Sequence, residues 1–233
     1  MDVKRTGTKP DIDIIYEDNH LLAVNKPSGL LSQEDHTKAP DVLTLCKEYL
    51  KREYNKPGEA FLGLLHRLDK PVSGVMLMAK TSKAASRISR QIRERSVEKN
   101  YLAVVEGFAP KNGFFNHFLK KDSNTNTVKI VEANTKGGKE SQLTYQTIAK
   151  KNNLSVVEIH LLTGRPHQIR VQFSGEGYPI WGDKKYGNNQ SGTIALHAFQ
   201  LKIIHPTLKN SLTIQAEPPQ SLPWNYFSDT KFL

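Results

Sequence analysis

The amino-acid sequence predicts an α+β fold, in which antiparallel strands dominate and a few helices accompany them. Short apolar runs with strand-like alternation recur along most of the chain, whereas helical spacing is confined to three segments. Because the helical segments do not alternate regularly with strands, a parallel sheet built from βαβ units is not indicated. A single domain over residues 1–233, with its core at about 12–216, is the simplest division of a chain that is 37% hydrophobic.

The first third of the chain predicts a hairpin, a helix and two buried strands. Alternation over residues 12–24 is interrupted by an Asp-Asn-His turn, which is typical of a hairpin. Apolar side chains recur at helical spacing over residues 41–54 and stop before a Pro-Gly pair. In order, the predicted elements are the hairpin 12–24, a turn at 25–29, the helix 41–54, and strands at 61–65 and 75–79.

The rest of the chain predicts mostly strands. Residues 82–95 have helical spacing, with Ala and Ile on one face and most of the arginines on the other. Residues 120–139 are rich in Asn, Thr, Lys and Gly, which favours a long loop or a mobile hairpin. The further predicted elements are strands at 101–105, 143–148, 155–162, 194–204 and 212–215, and a short helix at 168–175.

The charge of the chain indicates a polyanionic partner. Its 33 Lys and Arg residues outnumber its 23 Asp and Glu residues, which leaves a formal charge of +10. Charge alone does not separate RNA, DNA, an anionic membrane or plain solubility. The basic helix 82–95 could hold phosphates, although a solvated helix face accounts for its arginines equally well.

Composition disfavours several other classes of protein. Cys46 is the only cysteine, which excludes internal disulfides and cysteine-based metal clusters, and its apolar neighbours predict a packed thiol. The eight histidines lack the short helical spacing of zinc sites, so no catalytic metal is expected. No stretch approaches the roughly 20 apolar residues of a membrane helix. Because the N-terminus also lacks an apolar signal core, we expect a cytoplasmic or organellar protein without membrane contact.

One loop places a carboxylate among cations. The segment 65–74, Leu-His-Arg-Leu-Asp-Lys-Pro-Val-Ser-Gly, contains Asp69 and joins two predicted buried strands that would hold it rigid. A carboxylate with such neighbours stays ionised and reactive. A structural ion pair of Asp69 with Arg67 or Lys70 is the plainer interpretation of this segment alone.

Three further segments carry polar groups beside apolar strands. Residues 162–170 end a strand at a glycine and supply two arginines, a histidine and an amide within six residues, which favours a functional segment. Tyr101 begins an apolar strand, where a core tyrosine is the default interpretation. The Asn-Lys-Pro-Ser-Gly segment 25–29 reads as a turn after a buried strand.

Taken together, these segments resemble the RluA-type family of RNA pseudouridine synthases. The matches follow the order of the family from residue 25 to residue 203, and the segments around HRLD and TGRPHQIR are highly specific in combination. The matching segments are NKPSG, LLHRLDKPVSGVMLMAKT, KNYLAVVEG, LLTGRPHQIRVQF, YPIWGDKKYG and LHAFQLKI.

The resemblance implies a fold and a reaction. The implied pseudouridine synthase fold has a mixed, mostly antiparallel bent sheet, flanking helices and a central catalytic cleft. The implied reaction isomerises a uridine in tRNA or rRNA to pseudouridine without a cofactor or a metal. Many relatives carry an S4-like RNA-binding module before the core; only about 24 residues precede NKPSG, so we expect no such module here. A monomer is also expected.

The resemblance also assigns roles to residues. Asp69 would be the catalytic aspartate, Arg170 the basic partner of its carboxylate, and Tyr101 the tyrosine that stacks on the base and is a candidate to assist proton removal. The implied substrate-binding residues are His66, Arg67, Arg165, His167, Gln168 and Ile169. Whether Asp69 attacks the sugar, adds to the base or removes a sugar proton to give a glycal is left open.

Two other functions compete with an isomerase at this stage. A module that binds or folds RNA without chemistry could use the same scaffold, although it would have no need for a carboxylate facing a phosphate backbone. A phosphate-binding enzyme of another kind is disfavoured because the chain has neither a P-loop nor a dinucleotide fingerprint.

Overall fold

The structure, a computed structural model, describes residues 12–55, 57–188 and 192–230, so the expectation for the N-terminal signal region lies outside the described residues. Within these ranges no helix is long and apolar enough to cross a membrane. The helices are α1 (Val42–Glu53), α2 (Ser82–Arg93), α3 (Gln168–Gly175) and a 3-10 turn (Trp224–Phe227). The strands are β1 (Asp13–Glu17), β2 (Leu21–Lys26), β3 (Gly63–Leu64), β4 (Ser73–Ala79), β5 (Glu98–Glu106), β6 (Asn112–Asp122), β7 (Thr127–Val131), β8 (Lys139–Lys151), β9 (Leu154–Leu161), β10 (Leu196–Ile204) and β11 (Ser211–Gln215).

All the described strands belong to one mixed sheet. Its order is β1-β2-β4-β10-β5-β9-β8-β6-β7, with β3 paired to β4 and β11 paired to β10. The strand pairs are antiparallel except for that of β10 with β4. The predicted α+β class with a mostly antiparallel sheet is therefore confirmed.

The parallel contact between β4 and β10 fixes the start of the strand that follows the Asp69 loop. It is short, covering Ser73 and Gly74 against His197 and Ala198, after which β11 takes over as the neighbour of β10. Ser73 Oγ lies 2.8 Å from His197 Nδ1, and His197 Nε2 lies 2.8 Å from the carbonyl oxygen of Ala216. These buried hydrogen bonds tie β4 to β10 and to Ala216, the residue that follows β11.

Gly74 is required at this junction, and Gly74→Ala is expected to destabilise the fold. Its φ is +114°, and a Cβ would lie 2.3 Å from the carbonyl oxygen of Ala198. Backbone strain and overpacking each cost about 1–3 kcal/mol, so the free energy of unfolding should fall by roughly 3 kcal/mol. Urea denaturation measures this loss. Gly177→Ala is the control, because Gly177 has φ +82° and open space; equal losses in both variants would contradict the proposed clash.

The helices pack on opposite faces of β4. Val75, Leu77 and Ala79 share a core cluster with Ala84 and Ile88 of α2. The alternate residues Met76 and Met78 pack with Cys46 and Leu50 of α1. Because side chains alternate across a strand, the two helices lie on different faces of the sheet. Cys46 is fully buried, as predicted, and burial raises the pKa of its thiol to about 12.

The two faces of β5 likewise enter different cores. Ala103 and Val105 pack with buried residues of the Asp69 loop and of α3, namely Leu68, Val72, Ile169 and Phe173. Leu102 and Val104 pack on the opposite face with Trp224 and Phe227 of the C-terminal segment. The face that carries Ala103 is therefore the one that supports the Asp69 loop.

Sequence patterns misjudged one region and left another open. The predicted strand 61–65 is reduced to the two residues of β3. Residues 120–139, predicted to form a long loop or a mobile hairpin, contain the end of β6, all of β7 and the start of β8, with a tight hairpin turn between β6 and β7. Lys120 and Lys129 are paired and exposed, so the hairpin presents a polar face whose sequence resembles that of a loop.

Candidate active site

Asp69 lies in the loop between β3 and β4, and a buried lysine holds this loop in place. Lys26 Nζ donates to the carbonyl oxygens of Pro27, Leu30 and Lys70, at 3.0, 2.7 and 3.1 Å. Burial lowers the pKa of Lys26 to about 8, although the negative charge of Asp69 opposes this effect. The turn 25–29, predicted only as a turn, therefore supplies a side chain that fixes the backbone beside Asp69.

Arg170, on α3, joins two carboxylates. Its Nη1 donates to Asp69 Oδ2 at 3.0 Å, while its Nε and Nη2 donate to the two oxygens of Asp183 at 2.8 and 2.7 Å. The bidentate pair with Asp183 fixes the plane of the guanidinium, which leaves Nη1 pointing at Asp69. The structure thus brings the predicted partners Asp69 and Arg170 together, and it adds a second acid that orients the arginine.

The carboxylate of Asp183 remains ionised despite its burial. Burial raises the pKa of this acid, but the hydrogen bonds and the charge of Arg170 outweigh burial and hold the pKa below its ordinary value. The backbone N–H groups of Lys185 and Tyr186 also donate to Asp183 Oδ1. Arg170 therefore stays paired to the Asp183 anion at neutral pH.

Among the described residues, one carboxylate oxygen of Asp69 accepts a hydrogen bond, and the other does not. Arg170 binds Oδ2, and His167 Nε2 lies 3.8 Å from the same atom. In the described part of the chain, Oδ1 accepts no hydrogen bond, and about a quarter of the side chain, 28%, is exposed. The carboxylate is thus held from one side and open to a substrate on the other.

A narrow cavity of about 330 Å³ lies on one side of Asp69. Tyr101 of β5 and Ile169 of α3 line it, together with apolar side chains from α2 and β10. Burial raises the pKa of Tyr101, and the charge of Asp69 adds to this rise, so the phenol stays protonated. The cavity therefore combines an aromatic face, apolar walls and the carboxylate at its rim.

A wider groove of about 1090 Å³ also borders Asp69, and basic side chains line it. The two cavities share Arg67, Asp69, His167 and Arg170. Basic side chains that line the groove come from separate segments, namely Arg67, Lys70, Lys121, Lys184 and Lys185. Glu34 and Asp35 also line it. A polyanion in the groove would thus pass directly over Asp69.

Comparison with known proteins identifies the family of this chain. Residues 20–175 match the family described as RNA pseudouridylate synthase. The chain belongs to this family. The ribosomal large subunit pseudouridine synthase D of Zymomonas mobilis is 32% identical over 227 residues, covering 91% of this chain and 70% of that protein. The dual-specificity RNA pseudouridine synthase RluA of Escherichia coli is 35% identical over 214 residues, which cover 89% of this chain and 94% of that protein.

Solved structures agree with this result. The human RNA pseudouridylate synthase domain containing 1 superposes with a TM-score of 0.72 at 26% identity, covering 93% of this chain and 88% of that one. The human RNA pseudouridylate synthase domain containing 4 superposes with a TM-score of 0.76 at 24% identity, and 89% of each chain is covered. This second likeness supports the fold. The protein is an RluA-type pseudouridine synthase, an isomerase that converts uridine in RNA to pseudouridine.

Several residues predicted to bind substrate have structural partners in this pseudouridine synthase. His66 Nε2 accepts from the Leu77 N–H at 2.9 Å, and burial lowers the pKa of the ring to about 4. Gln168 is buried, accepting from Thr163 Oγ1 and the Arg165 N–H and donating to the carbonyl oxygen of Gln142. Both therefore shape the walls of the narrow cavity, and a direct contact with RNA stays a prediction.

The remaining predicted residues occupy different positions around the cavity. Arg67 is exposed at the rim shared by both cavities, whereas Ile169 is buried in the wall of the narrow one. Arg165 donates from Nε to the carbonyl oxygen of Glu140 at 3.0 Å. Among the residues predicted to bind substrate, Arg67 is therefore the one that keeps an exposed charge beside Asp69.

Sequence patterns missed three residues of the synthase site. Asp183 and Tyr186 lie in YPIWGDKKYG, a segment that contributed to the resemblance without a residue role being assigned. Lys99, two residues before Tyr101, lines the narrow cavity, and its Nζ has no hydrogen bond or ion pair within the described ranges. Burial, with a smaller effect of Arg95, lowers the pKa of Lys99. The sequence did offer a signal for Lys99: residues two apart on a strand share a face, so Lys99 and Tyr101 can reach the same cavity.

Proposed function

We propose that this synthase modifies a uridine in structured tRNA or rRNA and that Asp69 is its catalytic aspartate. One observation carries the proposal: Asp69 lies where the basic groove meets the narrow cavity, with Oδ2 held by Arg170 and Oδ1 open. The relative named for the large ribosomal subunit supports rRNA as a substrate, and the relative named for dual specificity supports a second kind of RNA target. We further propose that the described ranges act as one catalytic unit, because a single sheet connects them.

The geometry supports a division of labour between the two cavities. Uracil atoms in a stacked helix are out of reach, so the target uridine must leave its stack or lie in an unpaired loop. The groove would bind the RNA backbone, while the narrow cavity would receive the uracil against Tyr101 and Ile169. Walls around the base would keep the detached uracil in place while it turns from N1 to C5.

The protonated phenol of Tyr101 defines its proposed part in the reaction. With its pKa raised by burial and by Asp69, the phenol stacks as a neutral ring and is poorly suited to removing a proton by itself. Removal of the C5 proton then needs an anionic group or water close to the base. We therefore propose that Tyr101 stacks on the base, and that any help it gives to proton removal is through another group or a water molecule.

The proposal is tested by incubating the purified protein with tRNA and rRNA transcripts. Mass spectrometry after chemical labelling would detect pseudouridine and locate it. We expect stoichiometric modification of at least one uridine in an unpaired or weakly paired region. An absence of pseudouridine in both RNA classes, with RNA still bound, would contradict the proposed substrates.

The basic groove predicts a specific salt dependence. Replacing Lys121 and Lys184 with glutamine should weaken RNA binding and reduce the slope of log affinity against log salt by about 0.7 for each phosphate that is no longer neutralised. Fluorescence anisotropy at several salt concentrations measures this slope. Lys150→Gln with Lys151→Gln is the matched control, since both lysines are exposed but line neither cavity. The same slope change in both pairs would argue against a defined RNA path along the groove.

A further inference from the structure

Two hydrogen bonds and one longer electrostatic contact connect the β6–β7 hairpin to the carboxylate of Asp69. The Val128 N–H of β7 donates to Tyr186 Oη at 2.9 Å. Tyr186 Oη lies 2.6 Å from His167 Nδ1, and His167 Nε2 lies 3.8 Å from Asp69 Oδ2. The last contact is longer than a hydrogen bond and is electrostatic. Four residues from four separate segments thus form a relay that ends on the oxygen that also binds Arg170.

The hydrogen bond from Val128 favours one tautomer of His167. Because Val128 donates to the hydroxyl oxygen, Tyr186 has one proton of its own to donate. Within the described ranges, His167 Nδ1 is the acceptor in reach of that proton. Nδ1 then carries a lone pair, and the neutral ring has its proton on Nε2, which faces Asp69. The imidazole thereby presents an N–H dipole to the carboxylate.

Burial and nearby cations favour the neutral ring of His167. Burial lowers the pKa of His167, Asp69 opposes that effect, and nearby cations lower the pKa further. The charged and titratable groups that face the ring are Asp69 of the β3–β4 loop, Arg170 of α3, Lys185 and Tyr186 of the 183–186 loop, and Lys121 of β6. Burial raises the pKa of Tyr186, so its hydroxyl proton is retained.

The relay is held rigidly at each end. Tyr186 packs in a cluster with Leu119 of β6, Val128 of β7 and Val171 of α3. Lys185 Nζ donates to the carbonyl oxygen of Asn126 at 2.8 Å, which ties the hairpin turn to the same loop. His167 adopts a left-handed backbone conformation with φ +52° immediately before α3. Side chains with such constraints have little freedom to move away from Asp69.

We propose that Tyr186 and His167 are positioning residues, through which the β6–β7 hairpin and the 183–186 loop orient the carboxylate of Asp69 for catalysis. The inference rests on the proposed function of Asp69. His167, predicted from its motif to contact substrate, acts instead by holding Asp69 Oδ2 and leaving Oδ1 open. Arg170 supplies the positive charge that pairs with the Asp69 carboxylate, and Tyr186 and His167 set the orientation of that carboxylate.

Tyr186→Phe tests the relay, since it removes the hydroxyl but keeps the ring beside the Arg170 guanidinium, which lies 5.2 Å from the ring centre. We expect the single-turnover rate of pseudouridine formation to fall by about tenfold, as misplaced groups cause, while RNA affinity stays unchanged. Without the hydroxyl, Nδ1 loses the hydrogen bond that favours its unprotonated form, so the pKa of His167 should rise above its wild-type value. The variant should therefore lose additional rate as the pH falls through the pKa of its own His167, where a charged ring would pair with Asp69.

The control is Tyr178→Phe, which removes a phenol hydroxyl outside the relay; Tyr178 packs against the core cluster that includes Ile169. Its rate and pH profile should match those of the wild-type protein. A Tyr186→Phe variant with the wild-type rate and pH profile would overturn the relay, as would a loss of rate that only follows weaker RNA binding.

NMR of ¹⁵N-labelled histidine separates this proposal from the proposed function. In the wild-type protein His167 should be the neutral Nε2–H tautomer at about pH 7.5 and should titrate below the ordinary histidine pKa of about 6.5. In Tyr186→Phe it should titrate at higher pH than in the wild-type protein. This measurement does not require activity. If the protein formed no pseudouridine, the proposed function would be refuted, but the titration of His167 would still test whether Tyr186 controls His167. Identical titration in both proteins would refute the relay.

Discussion

Replacing Asp69 with asparagine is expected to lower the rate of pseudouridine formation by at least about a thousandfold, as loss of a reacting group typically does. The amide carries no charge and cannot act as a nucleophile or a base, but its oxygen can still accept from Arg170 Nη1. RNA affinity should stay within about twofold, because the groove that binds the backbone is unchanged. Single-turnover assays and anisotropy on the same transcript measure the two quantities.

The control for this variant is Asp13→Asn on β1, whose carboxylate bonds only to Asn25 in the described part of the chain. Its activity should equal that of the wild-type protein. Wild-type product from Asp69→Asn would remove Asp69 from the chemistry. A parallel loss of affinity and rate would indicate that Asp69 acts in binding.

Arg170→Met should have the largest effect on stability. The substitution leaves Asp183 buried without its cation, and breaking a buried pair by removing one partner typically costs 3–5 kcal/mol, so we expect a loss of roughly this size. Activity should fall as well, since Asp69 loses its direct hydrogen bond. Urea denaturation at pH 7 and single-turnover assays of the folded fraction measure both losses.

A double variant separates the two consequences. Arg170→Met with Asp183→Asn removes both charges and keeps an oxygen that can accept from the Lys185 and Tyr186 N–H groups, so part of the stability should return, whereas activity should not. Equal stability of the single and double variants would show that the unpaired Asp183 carboxylate is not the source of the loss. Recovered activity in the double variant would show that Arg170 does not assist Asp69.

The pH dependence of stability follows from the lowered pKa of Asp183. A carboxyl group with a depressed folded-state pKa stabilises the fold above its unfolded pKa, about 3.9, and this contribution is lost as the pH falls through the folded value. The wild-type protein should therefore lose stability below about pH 4 more steeply than the double variant, which lacks the pair. Urea denaturation at a series of pH values compares the two proteins, and equal slopes would contradict the role of this pair.

The sequence was most informative where chemistry depends on short motifs. Asp69, Tyr101 and Arg170 were predicted from three separate segments, and the structure brings Asp69 and Arg170 to 3.0 Å with Tyr101 in the adjoining cavity. The mostly antiparallel sheet was equally predictable, because apolar alternation reports which face of a strand is buried.

Residues that act through tertiary partners were not predictable in this way. Asp183 lies 13 residues after Arg170, and nothing local indicates that it orients the guanidinium. Lys26 was interpreted as part of a turn because the carbonyl oxygen of Lys70 that it binds lies 44 residues away. Residues 120–139 were left open between a long loop and a hairpin for a related reason, since the exposed lysines of the β6–β7 hairpin obscure the alternation. Such roles depend on which distant segments meet, and only the folded chain shows this.

The most direct test of the central claim is to map pseudouridine in cells. Total RNA would be compared between a strain lacking this gene and the same strain expressing the wild-type protein or Asp69→Asn at equal levels. We predict at least one tRNA or rRNA uridine that is modified with the wild-type protein and unmodified in the other two strains. Modification restored by Asp69→Asn would contradict the proposed role of Asp69.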